Sequence, residues 1–401
     1  MIPAREVSDV VIVDAVRTPM GKGKPGGALA GVHPVDLLAQ TLTGLLDRTG
    51  VDPATVDDVL IGCVSQVGEQ SATPGRMAWL AAGLPEQVPA TTIDRKCGSG
   101  QQAVHFAAQA IMAGSYDIAV AGGVESMSRV RMGSARLDAD PYGDRVADRY
   151  SPGLVSQGVA AELVAATWKL DRAELDEYSA RSHHRAAAAR EAGAFTREIV
   201  PIVTPDGTVT EDETIRPGSS AERLGGLEPA FRTDATSARF PDIGWHITPG
   251  NSSQITDGAS ALLLMSSEKC TQLGLTPRAR IRAMHACGDD PLLMLTAPIP
   301  ATHRILERSG IDLADIGHVE LNEAFAPVPL AWLREFAGSG ADEARLNPRG
   351  GAIALGHPLG ASGARLMTTM LSALDDGGHR YGLQLMCEAG GMANATVLER
   401  L

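Results

Sequence analysis

The sequence predicts an α/β fold made of two similar halves. Short apolar runs rich in β-branched residues alternate with longer stretches that have helical spacing, and this alternation predicts a mostly parallel sheet covered by helices on both faces. Three segments of the first half recur in the same order in the second half. A chain of 401 residues also exceeds one comfortable core, so more than one structural unit is expected.

In the first half, the sequence predicts strands and helices that alternate along the chain. Residues 10–13 are nearly all β-branched, as in a buried strand. Leucines at helical spacing follow from residue 37. The predicted elements are strands at 10–13, 59–64 and 118–121, and helices at 35–46 and 102–113, the second closed by Gly114.

The alternation breaks after Gly123. Residues from about 124 to 249 are rich in Arg, Asp, Ser and Pro and contain one strong helical stretch at 172–192, and a strand at 259–265 restores the pattern. The middle segment is therefore predicted to be an insertion. The predicted domains are an N-terminal half at 1–270, with an inserted domain at about 124–249, and a C-terminal half at 271–401.

The repeat rests on three matches. They join residues 50–60 to 310–320, 97–100 to 360–363 and 116–122 to 381–387, with offsets of 260, 263 and 265. The order is kept and the offset drifts by a few residues, as loop insertions produce. Chance similarity between two βα units is the alternative, and three ordered matches favour duplication. The period is far longer than that of a solenoid or propeller repeat.

Composition narrows the function classes. The net charge of −13 argues against nucleic acid and against an anionic membrane surface as partners. No apolar run reaches the length of a membrane span. The five cysteines are spread without a C-x-x-C pair, and no metal-ligand spacing occurs, so neither disulfides nor a metal site is expected. Without a signal sequence at the start, we expect a cytoplasmic protein.

Cys97 is the first candidate for chemistry. It follows a predicted strand and precedes a helix that opens with Gly98 and Gly100, and a helix N-terminus stabilises a thiolate. This context favours a nucleophile over an inert core thiol. The same glycines, with Ala103, also fit a loose dinucleotide-binding fingerprint, but far from the first strand, where that motif belongs. Three other cysteines are expected to be inert: Cys63, Cys270 and Cys287.

His357 is the second candidate. It lies in the glycine-rich segment 350–360, which is predicted to be a stiff loop, and Pro358 after it favours extended backbone. An imidazole held in this way suits a general base. His183 and His184, by contrast, are neighbours on a polar helix, cannot share a face, and are expected to be solvated.

Two further residues stand at strand ends. Cys387 follows a predicted strand and precedes a Gly pair, where a second thiol can donate and accept a proton. Asn322 ends the strand at 319–321, where a buried amide can hold a water or donate to an oxyanion. Taken alone, Asn322 fits a structural role equally well.

These blocks, in this order along the chain, resemble the thiolases. The likeness covers essentially the whole chain and is carried by residues 97–100, 122–128, 249–253, 322–326, 356–363 and 387–391. Membership of that family implies two βαβαβαββ halves packed as a five-layer αβαβα core, with a loop domain inserted in the first half. It also implies a homodimer or homotetramer.

The resemblance assigns a role to each candidate. Cys97 is similar to the nucleophile that takes the acyl group, and His357 to the base that activates Cys97 and then the thiol of coenzyme A (CoA). Cys387 matches the acid that protonates the departing acetyl-CoA enolate. Asn322, through a water, and His357 would form the oxyanion hole for the enolate. The backbone N–H groups of Cys97 and Ala389 would hold the other oxyanion.

The chain departs from the family pattern at two places. Ala389 stands where glycine is common, which predicts a slightly altered second oxyanion hole because alanine avoids glycine-only backbone. Ser156 and Gln157 stand where short-chain members often have His-Met, which hints at a longer or bulkier acyl group. Arg216 and Ser253 align with positions that meet CoA in the family, although a solvated surface role for Arg216 is nearly as plausible.

The resemblance implies a 3-ketoacyl-CoA thiolase of fatty acid or steroid side-chain β-oxidation. Its partners would be acyl-CoA and CoA, with CoA as a substrate and no metal or redox cofactor. The alternative within the family is a biosynthetic acetoacetyl-CoA thiolase (acetyl-CoA C-acetyltransferase). An alternative from another class is a non-catalytic acyl or sterol carrier on the same scaffold, which the presence of all four catalytic blocks disfavours.

Overall fold

A computed structural model describes residues 9–401. The strands are β1 (Val10–Arg17), β2 (Gly21–Lys22), β3 (Asp58–Gly62), β4 (Ala90–Ile93), β5 (Ile118–Ser126), β6 (Ile202–Thr204), β7 (Gly207–Val209), β8 (Thr256–Ser266), β9 (Ala279–Gly288), β10 (Ile316–Leu321), β11 (Tyr381–Glu388) and β12 (Met392–Arg400). The helices are α1 (Pro34–Thr49), α2 (Pro74–Ala81), α3 (Ser99–Met112), α4 (Gly143–Arg149), α5 (Gln157–Thr167), α6 (Arg172–Glu191), α7 (Ala221–Gly225), α8 (Asp234–Arg239), α9 (Ser267–Gln272), α10 (Pro298–Ser309), α11 (Pro327–Glu335), α12 (Ala352–Leu355) and α13 (Leu359–Gly377). Within residues 9–401, no helix combines the length and apolarity that crossing a membrane requires.

The sheet confirms two similar halves. The strand order is β4-β3-β5-β8-β1 in the first half and β10-β11-β12-β9 in the second, and the halves join where β1 pairs with β9. Each strand of the second half has a counterpart at the same place in the first. The counterpart of β4 is reduced to a single bridge, in which Leu346 pairs with Val319 in parallel.

The prediction of a mostly parallel sheet is wrong. Among the strands within residues 9–401, parallel pairing joins β3 with β4, β3 with β5, and β10 with β11, and the other strand pairs are antiparallel. β8 in the first half and β12 in the second half run antiparallel to both of their neighbours. The βαβ pattern holds only where a helix crosses between strands. β12, for example, returns directly from β11 through three residues, and so short a return allows only antiparallel pairing.

Helices and strands form five layers. Val59 and Val120 face an outer cluster with α1, whereas the next residues, Leu60 and Ala121, face α3 and α13 on the other side. α13 contacts strands of both halves, and α10 covers the outer face of β9 and β12. Because both faces of β1, β5 and β8 are buried, these strands are largely apolar and lack a regular alternation with polar residues.

The register of the repeat differs from the sequence alignment. α3 begins at Ser99 and α13 begins at Leu359, 260 residues later. Cys97 therefore corresponds to His357, each two residues before its helix. The sequence matched residues 97–100 to 360–363, which is three residues off, because the shared Ser-Gly pair lies at the start of α3 but one turn further into α13.

The two central helices meet through backbone. A Cβ on Gly100 would lie 2.7 Å from the Gly360 carbonyl oxygen, and one on Gly123 would lie 2.0 Å from the same oxygen. A Cβ on Gly360 would lie 2.6 Å from the Gly62 oxygen. Only glycine permits this approach, and the helix N-termini that carry Cys97 and His357 are brought together by it.

The inserted segment supplies α4 to α8 and the β6–β7 hairpin, while β5 continues to Ser126, slightly beyond the predicted start of the insertion. The domain boundary predicted between residues 270 and 271 falls inside α9 and stays a prediction. His184 is exposed as expected, but His183 is buried and accepts a hydrogen bond from the Arg216 N–H at 3.1 Å. The solvated assignment of His183 is wrong because α6 turns that face inward.

We predict that Gly123→Ala destabilises the whole chain. The new methyl group would meet a backbone oxygen of the facing helix, which no rotamer change can relieve, so the free energy of unfolding should fall by about 3 kcal/mol or more. Gly225→Ala is the control, since nothing lies within 4 Å of a Cβ there. Urea unfolding followed by circular dichroism measures both. Equal midpoints for Gly123→Ala and the wild type would contradict the proposed contact.

Candidate active site

Cys97 lies on a tight turn between β4 and α3. Lys96 before it has left-handed backbone, with φ of 49°. The Ser99 hydroxyl accepts a hydrogen bond from the Arg95 N–H at 2.9 Å and donates one to the Lys96 carbonyl at 2.6 Å. These bonds hold the turn, so the local sequence fixes where the sulfur lies.

The surroundings of Cys97 are apolar. Its side chain is 4% exposed and packs among Met127, Leu359 and Met386. Burial raises the pKa of the thiol. The expectation that the helix N-terminus lowers this pKa is wrong in direction, because desolvation of the thiolate is the larger effect. Cys97 in fact precedes the N-cap residue, Gly98.

Two polar groups face the Cys97 sulfur and partly offset the rise that burial causes in its pKa. They are the backbone N–H of Ala389, just after β11, and the side-chain amide of Gln157, the first residue of α5. Both favour the thiolate. Gln157 comes from the inserted segment, so that segment reaches the Cys97 sulfur, whereas the sequence had connected Gln157 only with acyl-group size.

His357 lies in the short link between α12 and α13. Gly356 before it has φ of 90°, and Pro358 after it is the N-cap of α13. Its backbone N–H donates to the Gln254 carbonyl at 3.1 Å. The prediction of a loop throughout 350–360 is partly wrong, since one helical turn, α12, forms there and α13 already begins at Leu359.

Hydrogen bonding sets the tautomer of His357. Its Nδ1 lies 2.5 Å from Ser362 Oγ, and that hydroxyl donates its proton to the Pro358 carbonyl at 2.9 Å. Ser362 Oγ must then accept from Nδ1–H, which leaves the lone pair on Nε2. Nε2 is buried and has no partner among residues 9–401. Burial and the Arg365 guanidinium lower the pKa of His357 to about 3, so the ring is neutral.

Cys387 and Asn322 lie against each other. Cys387 Sγ is 3.8 Å from Asn322 Nδ2 and 3.8 Å from the Asn322 carbonyl oxygen. Burial raises the pKa of Cys387 to about 12, although the Asn322 amide favours its thiolate. Charge on Cys387 also raises the pKa of Cys97, so the two thiols share one site. Asn322 Oδ1 has no hydrogen-bond partner in the described chain.

Ala389 fits its turn without strain. The left-handed residues are Gly390, with φ of 95°, and Gly391, with φ of 74°, whereas Ala389 lies outside the left-handed region. The departure from glycine therefore does not alter the backbone of this turn, contrary to what the sequence suggested, and the Ala389 N–H still faces Cys97.

Glu125 joins the start of α13, next to His357, to the first half. Its buried carboxylate accepts hydrogen bonds from the N–H of Gly360 at 2.9 Å and of Val64 at 2.9 Å through one oxygen. The other oxygen accepts from the Ser65 N–H and the Gln70 amide, both at 3.0 Å. The start of α13 is thereby fixed against the end of β3.

The two CoA-binding candidates, Arg216 and Ser253, lie near each other and near His357. Arg216 is exposed and its guanidinium donates to Gln254 Oε1 at 3.0 Å. Ser253, the neighbour of Gln254, donates its N–H to the Ala324 carbonyl at 2.9 Å. Gln254 also holds α12 by donating to the Ile353 and Ala354 carbonyls. One side chain thus links the surface arginine to the His357 segment.

Glu323, next to Asn322, is a buried anchor. Its carboxylate accepts from the hydroxyls of Tyr178 at 2.9 Å and Ser182 at 2.7 Å, both on α6. It also accepts from the Ile353 N–H at 3.1 Å. This carboxylate joins the inserted segment, the Asn322 loop and α12.

Ser362, Gln254 and Glu323 are site residues that the sequence analysis missed. Ser362 and Glu323 lie inside two of the recognised motifs, and a polar side chain in an otherwise small or apolar motif was the available signal. The contacts of Gln254 come from separate segments, so no local pattern shows them.

The dinucleotide-binding alternative does not fit the structure. The fingerprint needs open space over its glycines for a pyrophosphate. Gly98 is covered by Glu388, whose Oε1 would lie 1.8 Å from a Cβ there, and Gly100 is covered by Gly360. These glycines serve protein packing.

Comparison with known families agrees with this architecture. The family model for the thiolase N-terminal domain matches residues 10–268, and the model for the thiolase C-terminal domain matches residues 275–400. The fold and these matches define an acyltransferase of the thiolase type. The chain belongs to the thiolase family, as its motifs predicted.

Individual relatives span nearly the whole chain. A steroid 3-ketoacyl-CoA thiolase of Mycobacterium tuberculosis is 49% identical over 98% of this chain and 95% of its own. A 3-ketoacyl-CoA thiolase of Saccharophagus degradans is 44% identical over 98% of both chains. The crystal structure of the Bacillus anthracis acetyl-CoA acetyltransferase superposes with a TM-score of 0.87, at 36% identity over 99% of this chain and 100% of that one.

We predict that Gln157→Leu slows alkylation of Cys97. Loss of the amide removes a group that favours the thiolate, so iodoacetamide should react about three- to tenfold more slowly at a given pH. Peptide mass spectrometry measures modification at residue 97 specifically. Gln272→Leu, an exposed glutamine on α9, is the control. An unchanged rate in Gln157→Leu would show that the amide does not act on the sulfur.

Proposed function

We propose that this protein is a 3-ketoacyl-CoA thiolase, which cleaves a 3-ketoacyl-CoA with CoA to give acetyl-CoA and a shortened acyl-CoA. The observation that carries the proposal is that two buried thiols, Cys97 and Cys387, share one site with the amide of Asn322. Full-length relatives named 3-ketoacyl-CoA thiolase support it.

The first half-reaction breaks the C2–C3 bond. His357 Nε2 accepts the proton of Cys97, and the sulfur attacks the C3 carbonyl carbon of the substrate. The backbone N–H groups of Cys97 and Ala389 stabilise the tetrahedral oxyanion. When the oxyanion collapses, the shortened acyl group stays on the sulfur as a thioester and the bonding electrons leave with C2 as an acetyl-CoA enolate.

The enolate then takes a proton. Cys387 donates it to C2, and Asn322 with His357 stabilises the enolate oxygen before that transfer. A thiol with its pKa near 12 releases its proton to a strongly basic carbanion but not to water. This step gives acetyl-CoA, which leaves.

The second half-reaction releases the acyl group. The proton on His357 first passes to the Cys387 thiolate, which restores both groups. His357 then takes the proton of the CoA thiol, whose sulfur attacks the Cys97 thioester. When the tetrahedral intermediate collapses, the acyl group leaves on CoA and the Cys97 thiolate takes the proton back from His357. Splitting the cleavage through a covalent intermediate replaces one difficult step with two easier ones. CoA is a substrate here, and we propose that no metal or redox cofactor takes part.

We assign CoA contact to Arg216 and Ser253. Arg216 is exposed and offers a planar donor fork that suits a phosphate. Its link through Gln254 to the backbone of His357 supports the assignment. We also propose a homodimer or homotetramer, as the resemblance implied, and a location in the cytoplasm.

For the acyl group, we propose a fatty acyl or steroid side-chain substrate of β-oxidation. Ser156 and Gln157 stand where short-chain members of the family often have His-Met, and Gln157 lies beside the Cys97 sulfur. A relative with 49% identity is named for steroid substrates. The alternative, biosynthesis of acetoacetyl-CoA, has as its support a structural relative named acetyl-CoA acetyltransferase with a lower identity of 36%.

The direct test is formation of an acyl-enzyme. Mixing the protein with a 3-ketoacyl-CoA in the absence of CoA should add the mass of the shortened acyl group at Cys97, and addition of CoA should remove it. Cys97→Ala should give no adduct and lose thiolysis by a factor of about 10³ or more, while Cys270→Ala should behave as the wild type. A carrier would bind the acyl-CoA without forming any adduct.

A substrate profile separates the two thiolase assignments. Thiolysis should be faster with long or polycyclic 3-ketoacyl-CoA than with acetoacetyl-CoA. Strong preference for acetoacetyl-CoA would favour the biosynthetic alternative.

We predict that Ser362→Ala lowers kcat about ten- to a hundredfold. Without the hydroxyl, Nδ1–H loses its buried partner, which costs about 1–3 kcal/mol, and the tautomer with a free Nε2 is no longer favoured. KM should change little. Ser372→Ala is the control, because this buried serine on α13 has no side-chain partner in the described residues. Steady-state thiolysis measures both, and equal kcat values would contradict the role of Ser362.

A further inference from the structure

Glu388 is a buried carboxyl group that the mechanism above does not use. It is the last residue of β11, directly after Cys387. Its side chain is 0% exposed. Its carboxyl group lies on Gly98, since a Cβ there would be 1.8 Å from Glu388 Oε1 and 2.6 Å from its Cδ. The carboxyl group therefore contacts the turn that carries Cys97.

The carboxyl group lacks the partners that usually stabilise a buried anion. Neither oxygen closes a hydrogen bond with any group of the described chain. Burial opposes the charged form most strongly. The Arg95 guanidinium favours that form, and so does the backbone N–H of Asn394 on β12, which stays short of hydrogen-bond geometry, but together they offset burial only in part. Every other buried carboxylate of the site is held differently: Glu125 and Glu323 each accept several hydrogen bonds. An uncompensated buried carboxylate is costly, so the neutral acid is the favoured form.

The titratable groups that face Glu388 are mostly thiols. Cys97 precedes α3, Cys387 lies beside it on β11, and Cys287 lies on β9, and a negative charge on Glu388 raises the pKa of all three. Arg95 is the cation that acts on it. The carboxyl group is thus placed where its charge state bears directly on both thiols of the site.

We propose that Glu388 functions as a neutral carboxylic acid next to the nucleophile, and that its ionisation suppresses thiolate formation at Cys97 and Cys387. Glu388 acts through the thiols, without touching the reacting atoms. The inference rests on the role of Cys97 given under the proposed function, but it concerns thiol reactivity, which is measurable without turnover.

The sign of the effect follows from the charges. Burial raises the pKa of Glu388 to about 8. Below that pH the side chain is neutral and does not oppose formation of the thiolates. Above it the carboxylate is negative and opposes a second negative charge on Cys97. Glutamine has the same shape and is neutral at every pH. The thiol reactivity of Cys97 in Glu388→Gln should therefore equal that of the wild type at acidic pH and exceed it at alkaline pH.

The experiment compares the rate at which iodoacetamide alkylates Cys97 in the wild type and in Glu388→Gln, between about pH 6 and pH 10. Peptide mass spectrometry distinguishes modification of residue 97 from that of the other cysteines. The rates should be equal near pH 6, and Glu388→Gln should react about three- to tenfold faster above pH 9. Glu307→Gln, an exposed glutamate on α10, should follow the wild type throughout. Parallel curves for Glu388→Gln and the wild type would overturn the proposal.

A measurement on the wild type keeps the proposal testable if Glu388→Gln does not fold. Infrared difference spectra should show a protonated-carboxyl band that is lost as the pH rises through about 8. Its absence at neutral pH would show that Glu388 is already ionised and overturn the proposal. Because neither measurement needs a substrate, failure of this inference is distinguishable from failure of the proposed function. Absence of the acyl-enzyme with an unchanged alkylation result would refute only the proposed function.

Discussion

The structure depends on the backbone contact between α3 and α13. Four glycines, on β3, β5 and the two helices, leave no room for a single Cβ between the facing chains. The contact brings the two halves together at the residues that precede each helix. Those residues are the thiol and the imidazole, so the packing constraint and the chemistry have the same origin in the sequence.

Burial then determines how the site can work. Water is excluded from Cys97 and His357, which raises the pKa of the thiol and lowers that of the ring. Both groups are therefore neutral at rest. A neutral thiol and a neutral imidazole, each just before one of the two packed helices, avoid a buried ion pair, whose desolvation cost is large. In the proposed reaction, charge develops only when the substrate carbonyl group and its oxyanion donors are present to share it.

Much of this was predictable from the sequence because it is encoded locally. The strand and helix signals gave the α/β halves, and glycine-flanked Cys97 and His357 stood out from their surroundings. Long-range effects were not predictable. Strand direction depends on how each half closes, the burial of His183 on the docking of α6, and the raised pKa of Cys97 on atoms from both halves. The backbone at Ala389 required φ values that a residue name does not supply.

The correspondence between Cys97 and His357 has a consequence for the origin of the chain. A single ancestral half that paired with its own copy would present two identical side chains where the helices cross. Fusion of the copies removes that symmetry, and each position becomes free to specialise, here as a thiol in the first half and an imidazole in the second. The reduced strand at Leu346 records the same divergence in the scaffold.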